Sequence, residues 1–85
     1  MNPLAEWTRL VCDELAVTDA VDMDEVTRQI LVLTREVAHS VDRPAGPVTM
    51  YLIGLAAGRS ADPAATTAAS LATVREMVER WTPAE

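Results

Sequence analysis

The sequence has no lysine and no phenylalanine, and only one cysteine and one histidine. Each shortage closes off a class of protein. The cationic side chains are seven arginines against thirteen Asp and Glu, a net charge of −6. Such a surface repels phosphate backbones overall, so no nucleic-acid partner is expected. The same sign argues against binding anionic membranes. A lone Cys12 rules out an internal disulfide, and its neighbours Leu10, Val11 and Leu15 mark it as a small buried hydrophobe. One cysteine and one histidine, with 26 residues between them, cannot supply the roughly four ligands of a structural zinc site. A Cys12–His39 nucleophile–base pair would need both residues to leave their expected environments. The N-terminal MNPLAEW lacks the basic and then apolar run of a signal peptide. The longest mainly apolar stretch, VTMYLIGLAAG at 48–58, is eleven residues long, and a bilayer span takes about 20. A soluble cytoplasmic domain is expected.

Further motifs are missing. The acidic group Asp19, Asp22, Asp24 and Glu25 has neither the glycine nor the terminal glutamate of a calcium loop. It is better read as a turn and a helix cap. No glycine-rich phosphate loop follows a strand, because no stretch reads as a strand. An acyl carrier would need a modifiable serine where the second helix begins; that position holds DMDEVT, and Ser40 lies near the far end. No catalysis, metal or cofactor is expected of this chain alone.

What remains is helical. Eighty-five residues with 49% apolar content make one domain with one core. Trp7, Tyr51 and Trp81 are the only aromatics, so that core must be built mainly from Leu, Val, Ile, Met and Ala. Asn2–Pro3 caps a first helix that the spacing Leu4, Trp7, Val11 and Leu15 carries to about Ala16. Asp22, with Glu25 three residues on, opens a second as a capping box. Its stripe is Met23, Val26, Ile30, Leu33 and Val37, which leaves Arg28, Arg35 and His39 facing outwards. Pro44 ends it by forcing Arg43 out of helical geometry. Gly46 and Pro47 open a third helix, in which Gly54 and Gly58 have the spacing of a close helix approach and Gly58 reads as a C-terminal cap. Asp62–Pro63 starts a fourth, which reaches about Trp81. Arg75–Glu79 and Glu76–Arg80 are possible surface pairs on it. The fold class is all-α, a compact bundle of four helices with short connections. The expected core is Trp7, Val11, Ile30, Leu33, Val37, Leu52, Leu55, Leu71, Val74 and Val78.

The one unusual cluster lies in REVAHSVDRPAGPVT, residues 35–49. Arg35, His39 and Arg43 recur every four residues, and two prolines around a glycine follow. Two readings stand. The row, with Thr49 as an added hydroxyl donor, forms a cationic edge for a partner carboxylate or phosphate, helped by free amides where helix three starts. Alternatively, it is a solvated face in which His39 sits favourably near a helix C-terminus.

The same region carries a resemblance. Leu4 to Trp7 matches L-x-x-W, Ala38 to Pro47 matches AH-x-V-x-RP-A-x-P, and Leu52 to Arg59 matches L-x-GLAAGR. Together these resemble a small helical family of unknown molecular function, found alone or attached behind a molybdopterin-guanine dinucleotide nucleotidyltransferase domain. The resemblance implies an accessory role in molybdenum-cofactor biosynthesis, with a nucleotidyltransferase or related enzyme as partner. The catalytic domain is absent, so transferase activity is not implied. A different outcome is a domain that binds a small anion or self-associates through helix three or four, as a monomer or weak homodimer.

Overall fold

The computed structural model describes residues 2–82. Helix α1 spans Pro3–Glu14. The Asn2 side chain accepts the N–H groups of Leu4 and Ala5 at 3.1 and 3.3 Å, and Pro3 fills a position where no amide is needed. The helix stops short of Ala16 because that residue turns to φ 59°, a left-handed conformation in which a helix cannot continue. The Thr18 hydroxyl ties this turn back by donating to the Asp13 carboxylate at 2.7 Å.

Helix α2 spans Met23–Ser40. Asp22 accepts the Glu25 N–H at 3.4 Å, but the return half of the capping box does not form. The Glu25 carboxylate instead takes Arg28 and Gln29. Helix α3 spans Ala45–Gly58 and starts one residue earlier than the prolines predict, because Pro44 already has helix-like φ and ψ. Helix α4 spans Pro63–Arg80. Asp62 accepts the Ala65 N–H at 3.1 Å, and Ser60 braces the entry by accepting from the Asp62 amide and the Thr66 hydroxyl. Trp81 turns extended and ends the helix.

The expected all-α bundle of four helices with short connections is what forms. Its packing centre is α2, α3 and α4, which pack pairwise, whereas α1 makes only marginal contact with them. Leu33 and Val37 from α2, Ile53 from α3 and Leu71 from α4 form the core, flanked by Ile30, Ala45, Met50, Val74 and Val78. This matches the sequence reading on α2 and α4 and corrects it elsewhere. Trp7 is 65% exposed because α1 lies at the edge; its buried side is Cys12, with Val11 half-buried. Leu52 and Leu55 are exposed as well, because α3 turns Gly46, Ile53 and Ala57 inwards instead.

The glycines are also reassigned. A Cβ added at Gly54 or Gly58 would have nothing within 4 Å, so neither mediates a close approach within the fold. Gly58 is the last helical residue, with no positive φ, and Arg59 closes the helix by donating to Leu55 and Ala56 carbonyls. The tight crossing is at Gly46, where a Cβ would lie 2.9 Å from Thr34 Cγ2 and 3.1 Å from Thr34 O. Among the described residues the ion pairs are Arg9–Asp13 at 3.7 Å and Arg28–Glu25, so the two anticipated pairs on α4 stay open.

Candidate functional site

Arg35 and His39 stand one turn apart on the exposed side of α2, as the helical wheel places them. Arg75 joins them from α4 over a surface recess of about 390 Å³, whose rim also holds Glu36, Ser40 and Glu79. Among the described residues, neither Arg35 nor Arg75 has a carboxylate within ion-pair distance. The two arginines and two glutamates cancel in formal charge. Any anion held here is therefore selected by the forked donors of the guanidiniums more than by net potential. In the sequence Arg75 reads only as half of a surface pair with Glu79, because its place at the recess depends on how α4 packs along α2.

The other two candidates fall elsewhere. Arg43 is exposed in the turn before α3 and does not line the recess; its backbone N–H donates to Asp42 Oδ1 at 2.8 Å. Thr49 lines a different surface, the apolar groove described below. The expected free amides at the start of α3 are not there. Ala45 N–H donates to Asp42 O at 3.0 Å, Gly46 N–H to Arg43 O at 3.2 Å and Val48 N–H to Pro44 O at 3.4 Å. Pro44 and Pro47 have no amide at all, and Gly46 is buried. The turn spends its own donors on its own carbonyls.

The apolar surface of helices three and four, anticipated from the sequence as a self-association face, contains a groove that the sequence did not reveal. This apolar groove of about 530 Å³ runs between α3 and α4 and reaches Val37 of α2 and Val41 just past its end. Leu52, Met77 and Trp81 line it, each about half-exposed, and Thr49, Ser70 and Thr73 supply its few hydroxyls. The signal available was the composition of α3, which contains no charged residue in AGPVTMYLIGLAAG. A helix apolar all round reads as one enclosed on every side, and this one is not.

Among the described residues no three His, Cys, Asp or Glu side chains gather as a metal site. No described helix is long and apolar enough to cross a membrane. The fold and these surfaces define a small all-α helical domain with an arginine-bearing recess and an open apolar face. The chain belongs to the family called DUF6457, a domain of unknown function, whose pattern matches residues 1–85. No curated protein and no solved structure matches it.

Proposed function

We propose that the domain is a non-catalytic accessory module of molybdenum-cofactor biosynthesis or delivery. It docks on a molybdopterin-guanine dinucleotide nucleotidyltransferase, or a related enzyme, and assists nucleotide attachment or handover of the cofactor. The motif resemblance over residues 38–59 supports the choice of partner. The observation that carries the docking mode is the recess between α2 and α4, where Arg35 and Arg75 are without ion partners among the described residues. Each offers forked donors to an acidic group, and His39 adds a third polar contact. Arg43 lies outside the recess, in a turn that Pro44 and Pro47 restrict, which lowers the entropy cost of presenting it as a separate contact.

The test is co-purification with a nucleotidyltransferase, followed by calorimetry at tens of micromolar, with and without nucleotide. Arg35→Ala and Arg75→Ala should each weaken the complex by about 1.5–3 kcal/mol, the worth of a hydrogen bond to a charged group. Neither should disturb the helix content, since both side chains are exposed. Rising salt should weaken the complex too. A complex indifferent to both substitutions, or no complex at all, refutes the proposal.

A further inference from the structure

Helix α3 has two apolar faces. Gly46, Ile53 and Ala57 form the buried one. Val48, Tyr51, Leu52 and Leu55 form the other, at the i, i+3, i+4 and i+7 spacing of a single stripe, and they are between 48% and 70% exposed. The chain exposes 6425 Å² in total. A compact monomer of 9.2 kDa exposes about 4,900 Å². Part of the excess belongs to α1, where Leu4, Trp7, Leu10 and Leu15 are open. The α3 stripe accounts for another part. Together with Val41, Met77 and Trp81 at the groove, it presents on the order of 800 Å², which is what one partner contributes to a standard stable interface.

We propose that a second copy of the chain covers this face, with a two-fold axis crossing the middle of α3. The area suits a copy of the chain, and two features of the face allow one. The stripe is self-complementary under that symmetry: an axis between Tyr51 and Leu52 sets Val48 against Leu55 of the second copy and Tyr51 against its Leu52. A two-fold seam requires such reciprocal pairing. Charge selects the same face. Two copies of net charge −6 repel each other, and α3 is the one helix among the four without a charged residue. Gly54 and Gly58 leave open space beside the stripe for the second helix to come close. The seam leaves Arg35, His39 and Arg75 uncovered, because the recess shares only Val78 with the groove and none of its polar residues lines the groove. Dimerisation and docking on an enzyme therefore use separate surfaces and fail separately.

Sedimentation velocity of the purified full chain, from low micromolar to on the order of 500 μM, reads the assembly directly. A monomer–dimer equilibrium with a micromolar or tighter Kd is expected. Tyr51→Glu and, at the end of the stripe, Val48→Glu should each weaken it at least about 100-fold while the circular dichroism stays helical, since both side chains are exposed. The register is tested in a Cys12→Ala background. A mixture of Val48→Cys and Leu55→Cys chains should cross-link on oxidation far more than either alone. A monomer at every concentration overturns the proposal. So does a dimer that survives either charged substitution in a protein that is still helical, or equal cross-linking in the mixture and the single variants.

Discussion

Gly46→Ala is the substitution in which local preference and tertiary packing pull in opposite directions, so its sign is informative. Alanine is the better helix former, and on propensity alone the change should stabilise by about 0.5–1 kcal/mol. Against this, the new methyl carbon would lie 2.9 Å from Thr34 Cγ2 and 3.1 Å from Thr34 O, with Ala38 Cβ at 3.7 Å. The Thr34 methyl is on a β-branched side chain with few alternative rotamers in a helix. The Thr34 carbonyl is backbone of α2 and cannot swing aside. Relief therefore requires α3 to back away from α2, loosening Ile53 against Leu33 and Val37. Overpacking of this kind costs about 1–3 kcal/mol, so the net expectation is a loss of about 1–2 kcal/mol.

Urea unfolding followed by helix circular dichroism at low micromolar protein measures it, with Gly54→Ala and Gly58→Ala as internal controls. Those two positions have open space around an added Cβ and no positive φ, so both should gain stability or stay level. Melting temperature would move by about 4–8 °C per kcal/mol in a domain of this size. Thr34→Ser removes the methyl contact but not the carbonyl one, and should recover part of the loss in combination with Gly46→Ala. If Gly46→Ala stabilises as much as Gly54→Ala does, the close crossing of α2 and α3 is wrong.

Leu33 and Leu71 are each 1% exposed, and truncating either to alanine should cost about 2–5 kcal/mol by urea unfolding. Leu55→Ala should stay within about 0.5 kcal/mol in the monomer, and equal losses at Leu33 and Leu55 would reject the orientation of α3. Cys12 is buried on a helix with few tertiary contacts, so a thiol reagent should label it through local opening of α1, at low denaturant and with the rest of the helix signal intact. Labelling that tracks global unfolding would show that α1 is held more tightly than its contacts imply.

The helix starts were legible because capping chemistry is local. Asn2, Asp22 and Asp62 each bond an amide two or three residues ahead, and that distance along the chain is visible in the sequence. The inward faces of α2 and α4 were legible too, since charged residues mark their outer sides. α3 has no such mark. With apolar residues around its whole circumference, periodicity could not choose between Leu52 or Leu55 and Ile53 or Ala57. The outcome follows the crossing at Gly46, where an added Cβ would meet Thr34 of α2. The candidate site divides in the same way. Arg35 and His39 share a helix face, and a wheel finds them. Arg43 and Thr49 are close along the chain, but Pro44 turns it between them and they end on different surfaces.

The small core and the open face of α3 have a common physical origin. A chain of 85 residues buries a smaller share of its surface than a larger domain does and is marginal on that account. Among the described residues only two large side chains are almost wholly enclosed, Leu33 and Leu71, while Tyr51, Leu52 and Leu55 leave their apolar area to solvent. Turning α3 to bury that stripe would not help, because it would bring side chains into the crossing at Gly46, where even a methyl group does not fit. The fold therefore cannot use its most apolar helix fully from within. Burial of the remaining face would take another molecule, and anything that covered it would stabilise the fold by mass action. If a second copy does so, the stability of each chain is tied to its own concentration. The arginines of the recess, which lie outside that face, then keep their availability to an enzyme, whatever the state of the seam.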